Sequence, residues 1–139
     1  MSQFQVAIVG SGPAGLSAGA RAAVRGLSHV VLERGPQLSN TIFKFQKGKH
    51  VMAQPAHTPL RSEIPFEDGR REDVLAAWRA RAEEVGVNFR FDSEVTGIIG
   101  SRGDFKISLK DGSEVQAETV ILAVGLQGNL NTLRVPGAE

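Results

Sequence analysis

Three glycines and one acid carry the chemistry that can be read from this sequence. Gly10, Gly12 and Gly15 stand at the spacing G-x-G-x-x-G, and Glu33 follows 18 residues after Gly15. Each glycine answers a separate steric need. Gly10 lets the chain turn sharply out of a strand. Gly12 presents bare backbone, which a pyrophosphate can approach closely. Gly15 lets a following helix press tightly on that strand. Ser11, Pro13 and Ala14 shape the loop, with N–H groups of Ser11 and Ala14 on offer to phosphate. The first turn of a helix favours negative charge, and a proline there gives up no needed donor. Glu33 can accept hydrogen bonds from a ribose diol, and it would repel a ribose phosphate. The pattern favours FAD or NAD over NADP.

These residues need a frame. The apolar run Phe4–Val9 reads as a buried strand, and a helix is expected from about Pro13 to Arg25. Small residues along it, Ala14, Ser17, Ala18 and Ala22, permit close packing on a sheet. Arg21 and Arg25 stand four apart and imply an exposed face. Gly26 suits the helix stop, and His29–Leu32 forms a second strand that delivers Glu33 to its tip. The result is a β-α-β unit in about 30 residues. The rival reading, a glycine-rich turn that binds nothing, must explain why strand, helix and acid all fall at the right distances.

The rest of the chain is mixed. Residues 34–70 carry Gly35-Pro36, Pro55, Pro59, Pro65 and Asp68-Gly69, all breaker signals, and a basic stretch with Lys44, Lys47 and Lys49. A loop this long is expected to be functional or ordered by a ligand, the alternative being a solvated excursion. His50 and His57 have no metal-ligand spacing and read as polar loop residues. Glu72 to Val85 is a helix with Val74, Leu75, Trp78, Ala82 and Val85 on one face. Val87–Phe91 alternates as a strand. Phe105, Ile107 and Leu109 alternate with polar residues as a half-buried antiparallel strand, Asp111-Gly112 turns, and Ser113–Ala117 returns. Gly97, Gly100 and Gly103 mark turns or a bulge where this meander begins. The continuous apolar run Thr119–Val124 reads as a strand covered on both faces, and Gly125 lets the backbone pass close to a cofactor.

Two stretches carry a resemblance. Val6-Ala-Ile-Val-Gly-Ser-Gly-Pro-Ala-Gly-Leu-Ser-Ala18 resembles the FAD-binding start of the pyridine nucleotide–disulfide oxidoreductase superfamily, above all its thioredoxin-reductase-like branch. Thr119-Val-Ile-Leu-Ala-Val-Gly125, followed by Val135-Pro-Gly137, resembles the A-T-G segment before that family's crossover into its NAD(P)H domain. Val124 stands where the family usually has threonine. The resemblance implies an α/β, Rossmann-like FAD-binding domain of three layers, with a parallel sheet and a small antiparallel β-meander. It implies that residues 1–139 are the N-terminal portion of that domain, without the NAD(P)H domain and the returning flavin segment. It places residues 34–70 toward the flavin ring and pyrophosphate. It makes Val95 an adenine contact through its main chain, sets Arg34 beside the adenine and puts Gly125 near the pyrophosphate. FAD is the implied cofactor, with NAD(P)H expected only in the complete protein. No cysteine occurs in residues 35–60, which disfavours the glutathione-reductase-like branch.

Composition narrows the class. The 139 residues carry a net charge of +1, which gives no broad electrostatic case for nucleic acid or an anionic membrane. There is no cysteine, hence no disulfide framework or thiolate chemistry. No run approaches the ~18 apolar residues of a membrane span. A cytoplasmic location is expected. The leading expectation is the FAD-binding portion of an NAD(P)H-dependent flavoprotein oxidoreductase, not competent for turnover alone, with the catalytic residues and electron acceptor unassigned. The competing one is a non-redox nucleotide-binding or interaction module with the same fold. A plain NAD-binding dehydrogenase domain is disfavoured, because it would continue with another helix–strand pair. Exposed sheet or helix surface, and self-association through it, is a further expectation.

Overall fold

The structure is a computed structural model that describes residues 3–53 and 59–126. His57, Pro55 and the Val135-Pro-Gly137 motif lie outside the described residues. The first unit forms where the sequence places it: β1 is Phe4–Val9, α1 is Pro13–Val24 and β2 is His29–Leu32. Alternation along the two strands sorts their side chains onto two faces. Ile8 and Val31 meet α1 at Gly19, whereas Ala7, Val30 and Leu32 point into a second core on the other side.

The described residues of 34–70 are not a solvated excursion. They hold a short helix α2 (Asn40–Phe43) and a two-stranded ribbon of β3 (His50–Val51) and β4 (Gly69–Arg70). Buried Leu38 and Ile64 pin the segment to Leu16 and Ala20 of α1 and to Val74, Trp78 and Ala82 of helix α3 (Arg71–Val85). The Trp78 indole N–H donates to the Pro65 carbonyl at 3.0 Å, and Glu63 pairs with Arg21 at 3.1 Å. These anchors are single residues without periodicity, so no pattern announced them.

Helix α3 uses the expected face. Val74, Trp78 and Ala82 are buried, and Leu75 and Val85 pack partly against them. The strand expected over Val87–Phe91 is shorter, with β5 only Phe89–Arg90. The Val87 N–H is still closing the end of α3 on the Ala82 carbonyl at 2.9 Å, so it cannot join a ladder. Small residues do let α1 approach the sheet, but at other positions than Ala14, Ser17 and Ala18. The buried ones are Gly15, Gly19, Ala20 and Ala22, while Ala14 is exposed.

The remaining strands are β6 (Val95–Ser101), β7 (Asp104–Leu109) and β8 (Glu114–Leu122). One sheet runs in the order β5-β2-β1-β8-β7-β6. Strands β5, β2, β1 and β8 are parallel neighbours, and β8, β7 and β6 form an antiparallel meander. Residues 113–117 and 119–124 read as two strands in the sequence, yet β8 is a single one. Its first half pairs with β7 and its second with β1, and Ala117 faces both Phe105 and Phe4. The meander covers Ala7, Val30 and Leu32 with Ile107, Leu109, Val115 and Ala117. Helices, parallel sheet and meander are the three layers.

The end of β8 departs from expectation. It is not covered on both faces: Leu122 and Val124 are each 65% exposed. The meander leaves at Ala117 and packs over β1 and β2; Val120 still packs against that core, while Ile121, Leu122 and Val124 open to solvent. Among the described residues, the edge of β8 away from β1 has no strand partner beyond Glu118.

Gly19 offers a test of the helix–sheet contact. An added Cβ would lie 2.8 Å from Val31 Cγ2 and 3.0 Å from Val87 Cγ1, two short side chains with little room to give. Alanine gains about 1 kcal/mol of helix propensity, and overpacking costs about 1–3 kcal/mol. Gly19→Ala is therefore expected to lower the urea unfolding free energy by up to about 2 kcal/mol. At Gly97 an added Cβ meets nothing within 4 Å. Gly97→Ala should stay within about 1 kcal/mol of the parent.

Candidate dinucleotide-binding site

The site lies where β1, β2 and β8 end. The Gly10 N–H donates to the Leu32 carbonyl at 2.8 Å, and the Ala123 N–H donates to the Val9 carbonyl at 2.8 Å. These two bonds tie the three strand ends into one rim. Gly10 turns there with φ +102, and a Cβ on it would collide with the Ala123 carbonyl. A Cβ on Gly15 would collide with the Gly10 carbonyl. Gly12 differs. Its φ is −67, and a Cβ there would meet nothing within 4 Å. The space beside it is open, and no side chain caps α1, which begins at Pro13. Bare N–H groups at a helix start beside open space form an anion site.

Glu33 stands at the tip of β2, 7% exposed. Its Oε2 accepts the Ser11 N–H at 3.1 Å and the Ser11 hydroxyl at 2.5 Å, so the Ser11 N–H expected to face phosphate is turned to the acid instead. Its Oε1 accepts the Gly35 N–H at 2.8 Å. A carboxylate offers about four acceptor positions, so one remains, on Oε1. Ser11 is held from the other side as well. Ser39 donates its N–H to the Ser11 hydroxyl at 3.0 Å and its own hydroxyl to the Ser11 carbonyl at 2.8 Å.

The other expected residues sit around this centre. Ala14 is exposed at the start of α1. Arg34 is exposed just past Glu33, and its charge reaches Glu94. Val95 opens β6 opposite Leu109 with its side chain against the meander core. Its chain is led there past the site, since the Ser93 N–H donates to the Glu33 carbonyl at 2.8 Å and the Asp92 N–H to the Gly35 carbonyl at 3.0 Å. Gly125 follows Ala123 with φ +65 and open space at its Cβ position. His50 lies on the exposed ribbon, 3.9 Å from Asp68. No metal-binding group of His, Cys, Asp or Glu occurs among the described residues.

Sequence reasoning missed Gly35, Ser39 and Ser93. Gly35 had a signal, standing two residues past the acid and before a proline. Ser39 had none. It takes a left-handed conformation at φ 49, which its contacts with Ser11 hold in place.

Residues 7–139 match the family described as pyridine nucleotide-disulphide oxidoreductase. The chain belongs to that family. A ferredoxin–NADP reductase of Lactiplantibacillus plantarum is 23% identical over 124 residues, 89% of this chain and 35% of that protein. A bacillithiol disulfide reductase of Staphylococcus aureus covers the whole chain at 21% identity with a TM-score of 0.79, using 43% of its own length. A thioredoxin reductase of Lactococcus lactis covers 97% of the chain at 25% identity with a TM-score of 0.70, using 39% of its length. The chain thus spans about a third of that curated relative and about two fifths of those solved chains. The Rossmann-like fold is shared across them, and a flavin cofactor goes with the family.

One charge pair on the rim is open to titration. Lys110 donates to Glu94 at 2.9 Å, and this bond, its charge and that of Arg34 hold the Glu94 carboxyl below its ordinary 4.5. A lowered folded value contributes stability above the unfolded value and loses it as pH falls through the folded one. NMR titration of Lys110→Met should show Glu94 returning toward 4.5. Added salt should move the parent the same way.

Proposed function

We propose that this chain is the FAD-binding portion of an NAD(P)H-dependent flavoprotein oxidoreductase of the thioredoxin-reductase-like branch. The observation that carries the reading is the open space beside Gly12 at the uncapped start of α1, in a loop bonded to the Glu33 carboxylate and touching the end of β8 at Gly10. A dinucleotide fits that sequence of features. The Gly10–Gly15 loop and the first turn of α1 would take the pyrophosphate. Glu33 would take the adenosine ribose through Oε1. Arg34 and the main chain at Val95 would border the adenine, and Gly125 the pyrophosphate. When bound, the flavin supplies the electron-transfer chemistry. The protein's part is to bind it, orient it and set charge around it.

Residues 1–139 are read as one domain, the N-terminal portion of the flavin domain, and turnover is assigned to the complete protein. No helix among the described residues is long and apolar enough to cross a membrane. Together with the net charge of +1, this supports a cytoplasmic protein without nucleic-acid or membrane partners. One observation favours a second reading, a nucleotide-independent module: Glu33 is already engaged by Ser11 and Gly35.

Gly12→Val separates the two readings. An added Cβ at this position meets nothing within 4 Å, so the variant's stability should stay within about 1 kcal/mol of the parent. FAD binding, read from the visible spectrum after gel filtration, should weaken at least about tenfold, because the valine occupies the phosphate approach. FMN, which lacks the adenosine, should bind poorly to either protein. Unchanged FAD retention in Gly12→Val would overturn the placement of the phosphate beside Gly12, and a parent that ignores FAD would sink the flavin assignment and favour the module.

The exposed end of β8 supports self-association of the isolated chain. Sedimentation at high concentration should show species larger than the monomer. Leu122→Lys with Val124→Lys should reduce them, and a strictly monomeric parent would rule this out.

A further inference from the structure

Ser11 occupies a variable position of the glycine motif, yet its side chain is fully enclosed, at 0% exposure. Its hydroxyl donates to Glu33 Oε2 and accepts the Ser39 N–H. It is the one side chain among the described residues that hydrogen-bonds to the Glu33 carboxylate, the other donors being the main-chain N–H groups of Ser11 and Gly35. No cation among the described residues lies within 4.0 Å of that carboxylate, so hydrogen bonds alone hold a buried charge in place.

We propose that Ser11 is a positioning residue that sets ribose specificity, by fixing Glu33 so that it cannot turn away from a 2′-phosphate. The inference rests on the dinucleotide reading of the site. A glutamate at a strand tip ordinarily has several rotamers open to it. One that could swing outward would relieve its repulsion with a ribose phosphate. The exposed guanidinium of Arg34 stands next in sequence, and Lys110 is paired to nearby Glu94. Both charges act on Glu94, which follows Ser93 at the Glu33 carbonyl, so positive charge lies near the acid. Held by Ser11 and Gly35, Glu33 keeps its charge at the tip of β2 and its last acceptor position on Oε1. A ribose hydroxyl can donate to that position, and a phosphate cannot. Rejection of the phosphate therefore depends on the latch as much as on the acid.

Glu33→Ala would be a poor probe, since it strands three buried donors and disturbs the loop as a whole. Ser11→Ala removes one hydroxyl and leaves both N–H groups bonded. Ser11→Cys fills the same space with a weak donor and serves if the alanine variant does not fold. The probes are ADP-ribose and ADP-ribose 2′-phosphate, titrated calorimetrically into the full chain. The parent should prefer ADP-ribose by about tenfold or more, the worth of one charged contact. Ser11→Ala should shrink that preference about fivefold or more, chiefly by improving the phosphorylated ligand, and Ser11→Cys should fall between. A merely structural role would weaken both ligands alike and leave their ratio unchanged. An unchanged ratio in folded variants of a parent that binds ADP-ribose overturns the role of Ser11 and leaves the flavin reading standing. A parent that binds neither ligand nor FAD overturns both.

Discussion

Backbone meets backbone at Gly10, and the rest of the structure depends on that approach. The carbonyl of Gly10 fills the place where Gly15 would carry a Cβ, and the carbonyl of Ala123 fills the place where Gly10 would carry one. Helix, turn and the end of β8 are thus in contact through their main chains. Any side chain at either position would separate α1 from the sheet or push β8 off β1. The same closeness leaves the Gly12 side of the turn bare, which is what a phosphate needs. The packing of the unit and the open face at Gly12 have one steric origin.

Strand β8 carries this constraint into the outer layers. One strand belongs to the meander before Ala117 and to the parallel sheet after it. Its first half closes the second core over Ala7, Val30 and Leu32. Its second half reaches the rim of strand ends and ends with apolar side chains in water. The packing that secures the meander and the exposure at the rim follow from the same continuous element.

The polar cluster at the strand tips obeys a different rule. Burying a carboxylate costs several kcal/mol unless its oxygens are met by donors. Ser11 and Gly35 meet them, and each hydrogen bond to the charge returns about 1.5–3 kcal/mol. Those donors come from the loops after β1 and β2, and Ser39 locks the first loop from behind. The acid therefore organises the loops as well as facing the ligand space. In a family whose relatives include reductases for ferredoxin–NADP and for bacillithiol disulfide, this arrangement says nothing of the electron acceptor.

Local signals in the sequence determined the local elements. The apolar runs Phe4–Val9 and His29–Leu32, the glycine spacing and the face of α3 were legible because each signal spans a few neighbouring residues. The positions of Gly10, Gly15 and Glu33 at one rim followed from the same unit. Tertiary structure alone decided what distant residues do to one another. Gly19 shows this, a helical glycine whose need appears only when Val31 and Val87 stand against it. So do Leu38 and Ile64, isolated apolar residues that turn an aperiodic stretch into a packed one. The continuity of β8 depends on which strands lie beside it, and its bare end on how far the neighbouring layers reach. The partners of Glu33 come from 22 residues before it and two after, and only the folded chain brings them to the same two oxygens.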